Sequence, residues 1–406
     1  MNSILVLGAG KSATVLIDQL AQKSAHDNLR VMVADLSVAH LSHYDSANFH
    51  SIVLDIHHQE SVQKLIQEAD IVVSLLPPQF HSLIAQYCLE YSKHFITASY
   101  QDSYIKNIHK EVKEKSLFFI SEMGLDPGID HLLAMEMIEE IRSLENAQFL
   151  SFESYCGGLV APVSNNNPFQ YKITWNPYNV ASAGKAGAIF LENSKKVELD
   201  YNQVFTASKT LQISTAGAFD MYANRDSLSY IDSYGLQGIQ TFIRGTLRYP
   251  GFCKLWFKLI ESGLTSDVIL ENNDALQIRL QNCNDSDINW LFADTKITQP
   301  TKALDLLCET LQNKLIFMPN DKDRVVLYHK IEFEHEGKKQ SKDYLLDKIG
   351  QNKQFTAMSE TVSMPIFACI ELILEKKFKN HGLILPFDIQ SFKPILSKLR
   401  SYKTLL

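Results

Sequence analysis

The stretch Ile4-Leu5-Val6-Leu7-Gly8-Ala9-Gly10-Lys11-Ser12-Ala13 decides how the first third of the chain folds. Four apolar residues of strand type run into a glycine turn, and Thr14-Val15-Leu16-Ile17-Asp18-Gln19-Leu20 comes next as a helix. A parallel strand covered on both faces is apolar throughout rather than alternating. In Gly8-x-Gly10-x-x-Ala13, Gly8 permits the tight turn and Gly10 lets a pyrophosphate approach the backbone. Small Ala13 brings the helix close to the strand. Phosphates would meet the N–H groups of the helix start, where the helix dipole favours negative charge. The pattern therefore predicts a dinucleotide-binding βα unit. A plain βα turn is the blander reading. Gly10-Lys11-Ser12 also looks like the end of a Walker A loop, but Leu5 stands where that loop needs its first glycine.

Strand and helix then alternate along the chain. Leu29-Arg30-Val31-Met32-Val33-Ala34-Asp35 reads as a second strand ending in an acid, about 25 residues past the glycines. Asp35 suits the adenosine ribose hydroxyls of NAD and repels the 2′-phosphate of NADP. A helix N-cap is the plainer role, and the two are compatible. Further strands are predicted at 51–56, 71–76, 94–99 and 117–120, with helices at 60–68, 79–91 and 103–115 between them. Asp55 and Ile56 close the third strand and could meet the adenine, and Pro77-Pro78 halts the fourth. This alternation makes a Rossmann-type, doubly wound parallel sheet, whose ligands lie beyond the carboxyl ends of the strands.

Composition sets limits. The chain has 406 residues, 45% of them hydrophobic, with a formal net charge of −7. That leaves room for two or three domains and shows no basic face for nucleic acid. No apolar run is expected to approach the roughly 18 residues of a membrane span. The first strand occupies the N-terminus, which leaves no room for a signal peptide. Six scattered cysteines without C-x-x-C suit a reducing, cytoplasmic setting. With 13 dispersed histidines and no H-E-x-x-H, no metal site is expected.

Beyond the sixth strand, Glu122-Met123-Gly124-Leu125-Asp126-Pro127-Gly128-Ile129-Asp130-His131 reads as a loop entering a helix. Asp126 is either an N-cap, with Pro127 at the first helical position, or a ligand-binding acid. His131 falls inside the helix and reads as packing. Ser151 to Pro162 is a strand that stops at Gly157-Gly158, for close approach to a ligand or for a bulge. Asn167 to Pro177 mixes aromatics with Lys172. Val197-Glu198-Leu199 and Gln203-Val204-Phe205 look like short strands, residues 229–313 turn helical, and Arg324–His335 with Tyr344–Leu346 looks like a hairpin. Met364 to Lys377 is an apolar helix.

These segments are in the order and spacing of the glutamate-forming saccharopine dehydrogenase family, which the chain resembles over nearly its whole length. Gly124-Leu125-Asp126-Pro127-Gly128 and Ser154-Tyr155-Cys156-Gly157-Gly158 carry the resemblance most specifically. Thr97-Ala98-Ser99-Tyr100, Asn224-Arg225-Asp226-Ser227, Arg244-Gly245-Thr246-Leu247-Arg248-Tyr249 and Phe355 to Val362 extend it. It implies a Rossmann domain at 1–124 rejoined by C-terminal helices at 357–406. It also implies a second, α+β substrate and dimerisation domain at 125–215 and 316–356, with a helical insertion at 216–315. The implied reaction oxidises the secondary amine of saccharopine and hydrolyses the imine to 2-aminoadipate semialdehyde and glutamate. NADP-using members tend to carry Arg at the end of the second strand, so Asp35 looks like the NAD-using, lysine-degrading members.

The resemblance carries candidate roles. Cofactor-binding candidates are Gly8, Gly10, Lys11, Ser12, Ala13, Asp35, Asp55, Ile56, Leu76, Thr97, Ala98 and Leu125. Substrate-binding candidates are Ser99, Tyr100, Asp126, Lys172, Arg225, Arg244, Thr246, Leu247 and Arg248. Three carboxylates on saccharopine call for forked cations, which arginine supplies; read alone, the arginines would be surface charges. Asp126 is the candidate beside the reacting nitrogen, with Tyr100 and Cys156 in support. Lys172, or no side-chain base at all, stays open. A homodimer is implied as well. Competing readings are a carboxynorspermidine-type dehydrogenase, whose substrate has fewer carboxylates, and a non-catalytic NAD-binding protein.

Overall fold

Buried apolar strands organise the N-terminal part of the chain. The computed structural model describes residues 2–174 and 177–403. Met1, Trp175, Asn176 and residues 404–406 lie outside the described residues. The strand β1 (Asn2–Leu7) is apolar and buried from Ile4 onward, as a strand covered on both faces must be. The helix α1 (Thr14–His26) turns Val15, Leu16, Ile17 and Leu20 inward and ends with Lys23 and His26 in its last turn, where cations suit the dipole. Strands β2 (Leu29–Asp35), β3 (Phe49–Val53), β4 (Ile71–Ser74), β5 (His94–Thr97) and β6 (Phe118–Ile120) come after it. They form a parallel sheet in the order β6-β5-β4-β1-β2-β3, and the short strand Gly382–Ile384 adds to the β6 edge. Leu7 is level with Ala34 and Ser74, and Ser74 with Thr97, so the carboxyl ends of these strands share one edge.

The chain divides into two compact units, Met1–Glu139 with Ala357–Leu406, and Glu140–Thr356. The first keeps most of the helix Ile129–Arg142, which the sequence reading placed beyond its boundary at 124. In that unit the 18-residue helix Ala357–Leu374 returns to the glycine turn. Ser359 Oγ accepts the Val15 N–H at 3.0 Å and lies 2.7 Å from Thr14 Oγ1, and Ser363 Oγ donates to the Ser12 carbonyl at 3.0 Å. This helix is long and apolar enough to cross a membrane, against the expectation of no such run, yet 67% of it is buried inside the protein. Such burial is that of a core helix.

The second unit is built on a nine-stranded mixed sheet. Its main path runs Lys209–Ile213, Gly217–Ala223, Thr241–Arg248, Gln148–Val160, Asp323–His335 and Lys338–Ile349. The last two form the expected hairpin, longer than read. The strand Gln148–Val160 does not stop at the glycines. It passes through them, because a Cβ at Gly157 would lie 2.8 Å from the Leu247 carbonyl oxygen of the neighbouring strand. Thr241–Arg248, read as helical, is a central strand clamped between two others. Gln203 belongs to the helical turn Tyr201–Val204 rather than a strand; Asp200 and Gln203 cap it reciprocally. The helices Phe252–Glu261, Asn273–Cys283, Ser286–Phe292 and Ala303–Lys314 share a core with the sheet around Trp256, whose ring stacks on Phe252 at 5.1 Å.

Candidate functional site

In the first unit the glycine turn has the geometry its sequence implies. Gly8 has φ +102°, and a Cβ there would lie 2.8 Å from the Leu75 carbonyl oxygen, so only glycine fits. At Gly10 a Cβ would meet nothing within 4 Å, which leaves open space over the turn. Lys11, Ser12 and Ala13 form a single 3-10 turn leading into α1. At the end of β2 the Asp35 carboxylate accepts the Ala9 N–H at 2.7 Å and the Ser37 N–H at 3.2 Å. Asp55 lies just past β3 and accepts the His57 N–H at 2.9 Å, with Ile56 half-buried beside it. Leu76 lies just past β4, Thr97 ends β5, and Ala98 comes directly after it. A Cβ at Gly124 would lie 3.0 Å from Ala98 Cβ, so the 124–128 loop lies directly against the β5 tip. A dinucleotide fits this edge: an open turn at a helix start, and a carboxylate fixed where ribose hydroxyls would lie.

The Asp126 loop sits beside this edge. The helix begins at Ile129, not Pro127, so Asp126 is no N-cap. The reason is a tight return of the loop: Gly124 N–H donates to the Pro127 carbonyl and Ile129 N–H to the Gly124 carbonyl. Gly128, at φ +144°, touches Gly124 too closely for any side chain. Asp126 is thereby left on the exposed side of the loop, where its carboxylate accepts the Tyr100 hydroxyl at 3.3 Å. Glu122 N–H donates to the Ser99 carbonyl at 2.9 Å, tying the two segments together. His131 is fully buried, its ring nitrogens 3.4 Å from Glu122 and 3.6 Å from Asp130. Leu125 is buried in the same loop.

One further group was missed by sequence reasoning. His81, at the start of the helix His81–Glu90, places Nδ1 2.9 Å from Ser74 Oγ and Nε2 2.8 Å from Ser99 Oγ. Its position just past Pro77-Pro78 at a strand tip was the available signal.

In the second unit, strand alternation puts the candidates in a row. Arg244, Thr246 and Arg248 share one face of Thr241–Arg248. Ser154 pairs with Arg244 and Cys156 with Thr246 on the neighbouring strand. His329 pairs with Ser154 from the other side and is fully buried. Leu247 faces the other way into the hydrophobic core, so only its backbone is available to a ligand. Arg225, in the left-handed region at φ +57°, lies outside the row on the short strand Arg225–Asp226. Lys172 is 3% exposed and ion-paired to Asp321 at 2.6 Å, which gives it a structural occupation.

Arg248 is the unusual member. It is 5% exposed and caged by the rings of Tyr171, Phe252 and Tyr222 at 5.2, 5.4 and 6.0 Å. One Nη donates to the Leu247 carbonyl at 2.9 Å, and Nε has no hydrogen-bond partner. No carboxylate among the described residues pairs with it. Burying a cation this way costs several kcal/mol unless an anion arrives to meet it. No cluster of His, Cys, Asp or Glu among the described residues could hold a metal ion.

Fold and site together define a nicotinamide-dinucleotide-dependent oxidoreductase whose second unit carries Arg244 and Arg248 on one strand face. The chain matches the family described as "Saccharopine dehydrogenase NADP binding domain" over residues 4–120, and "Saccharopine dehydrogenase C-terminal domain" over 124–405. It is 30% identical to "Saccharopine dehydrogenase [NADP(+), L-glutamate-forming]" of Schizosaccharomyces pombe, covering 98% of this chain and 97% of that protein. It is 29% identical to the mitochondrial "Alpha-aminoadipic semialdehyde synthase" of Mus musculus over 98% of this chain, and spans 46% of that longer protein. The solved apo saccharopine dehydrogenase (L-Glu forming) of Saccharomyces cerevisiae superposes with a TM-score of 0.89 at 28% identity, covering 100% of this chain and 98% of that one. The chain belongs to the saccharopine dehydrogenase family, oxidoreductases acting on CH-NH groups.

Proposed function

We propose that this chain oxidises saccharopine to 2-aminoadipate semialdehyde and glutamate, in the direction of lysine degradation. The observation that carries the reading is Arg248, a buried guanidinium without a carboxylate partner on a row with Arg244. A substrate with three carboxylates supplies what Arg248 lacks, and guanidinium grips a carboxylate with two parallel hydrogen bonds. A carboxynorspermidine-type substrate has fewer carboxylates and uses this row less well.

The bound dinucleotide supplies a hydride acceptor. The protein's part is to hold the substrate carbon in line with it and to manage protons. The substrate's secondary ammonium gives up a proton, then the lysine-side C–H leaves as hydride, and the C=N bond forms. Water adds to that carbon, and the C–N bond breaks to release glutamate and the aldehyde. Asp126 is the acid–base candidate: it lies exposed on its loop, and the Tyr100 hydroxyl fixes one of its oxygens. Cys156, which pairs in register with Thr246, is the supporting candidate with Tyr100.

We assign NAD as the preferred dinucleotide. The relative's printed name and the N-terminal family description favour NADP. Asp35 argues the other way, since a carboxylate at the end of the second strand suits ribose hydroxyls and repels a 2′-phosphate. A homodimer is proposed through the second unit, whose hairpin strand Lys338–Ile349 is a long sheet edge. The six free cysteines suit a cytoplasmic location. The testing experiment is product analysis: the protein, saccharopine and NAD should give glutamate and reduced nicotinamide in equal amounts. Dinucleotide binding without glutamate release would overturn the substrate.

A further inference from the structure

His81 joins the ends of two neighbouring strands. Ser74 is the last residue of β4 and pairs in register with Thr97, and Ser99 lies two residues past Thr97. The imidazole bridges both serine hydroxyls, at 2.9 and 2.8 Å. Burial pushes its pKa down to about 4, with the Asp102 carboxylate opposing in part, so the ring is neutral near pH 7. A neutral imidazole has one donor and one acceptor. The two serines therefore take opposite roles toward it, and in either tautomer the Ser99 oxygen is held in place by the ring. The Ser99 backbone is also fixed: its N–H donates to Thr97 Oγ1 at 3.2 Å, and its carbonyl accepts the Glu122 N–H at 2.9 Å. What is left of the hydroxyl's capacity is directed away from the ring. Ser99 itself is only half-buried, at the edge where ligands of such sheets bind.

We propose that His81 is a positioning residue: it sets the Ser99 hydroxyl toward a polar group of the substrate beyond the carboxyl end of β5. The assignment rests on the saccharopine-oxidising reading above. Ser99 touches the substrate, and His81 acts only through Ser99. A neutral ring suits this role, since it can accept from Ser99 or donate to it without bringing a charge beside the dinucleotide.

Two substitutions separate positioning from packing. Gln at 81 carries its amide nitrogen near the place of Nε2 and can still meet Ser99. Asn at 81 reaches only the place of Nδ1 and meets Ser74. Steady-state kinetics with saccharopine should show kcat/KM falling roughly 10- to 100-fold in His81→Asn and in Ser99→Ala, and within about threefold of wild type in His81→Gln. The double variant His81→Asn/Ser99→Ala should be no worse than Ser99→Ala alone. Equal losses in His81→Asn and His81→Gln, or losses that multiply in the double variant, overturn the proposal. Should His81→Asn fail to fold, Ser99→Ala decides alone: wild-type kinetics there overturn it. A wild-type protein that binds dinucleotide but never oxidises saccharopine marks instead the failure of the reading on which the proposal rests.

Discussion

The Asp35 carboxylate accepts the Ala9 N–H at 2.7 Å, which ties the acid at the end of β2 to the glycine turn after β1. The acid is therefore held in place before any ligand arrives, and its negative charge is part of the turn. In Asp35→Asn the acceptor for Ala9 stays and the charge goes. The expected outcome is a KM for NADP lowered about tenfold, with the KM for NAD raised severalfold as the ribose hydroxyls lose a charged acceptor. Steady-state titration of both dinucleotides checks it.

Gly8 and Gly10 separate folding from binding. Gly8→Ala forces a Cβ into the Leu75 carbonyl at a φ of +102°, so the variant should unfold at lower denaturant and lose dinucleotide binding together. Gly10→Ala meets no protein atom within 4 Å. Its midpoint of denaturation should match wild type, while dinucleotide affinity falls about 10-fold or more, because the methyl occupies space the pyrophosphate needs. Fluorescence titration beside urea melts distinguishes the two.

Arg248 should behave as a group kept for a ligand rather than for the fold. Arg248→Met replaces a buried, unpaired cation with an apolar chain of similar length, a change that is often neutral or stabilising. The protein should melt at the wild-type temperature or above it. The KM for saccharopine should rise on the order of 100-fold, the worth of a charge-assisted bond of about 3 kcal/mol. Arg248→Lys, with charge but no fork, should fall between.

Much of the first unit is legible in the sequence because its signals are local: an apolar strand, a glycine turn, a helix, repeated. Gly8, Asp35 and Asp55 stand at strand tips in the chain and in the fold alike. The ring cage around Arg248 is not legible that way. Its strand reads as part of a helical region, and its burial depends on Tyr171, Tyr222 and Phe252, which no local spacing brings together. Ser359 is harder still: a hydroxyl 344 residues from Val15 completes the start of α1. Asp126-Pro127 has the local signature of a helix start, and a loop closed by two glycines overrides it. The family resemblance supplied the substrate roles that residue types alone left open.

His81 gives a pH dependence of stability. Burial lowers its pKa from the usual 6.5 to about 4 in the folded chain. The unfolded chain then binds more protons between those values, so stability rises with pH there. The contribution is complete above about pH 6.5 and is lost as pH falls toward 4, with an upper bound on the order of 3 kcal/mol. Equilibrium urea unfolding of wild type and His81→Gln across this range checks it: the wild-type curve should fall more steeply toward acid.

The proposed reaction passes a hydride from saccharopine to a nicotinamide dinucleotide selected by Asp35. The most direct test tracks the absorbance of reduced nicotinamide with saccharopine plus NAD, and separately plus NADP. Growth with NAD and little with NADP is the predicted result. Growth with NADP alone would keep the enzyme and contradict the role given to Asp35. No growth with either would contradict saccharopine as the substrate.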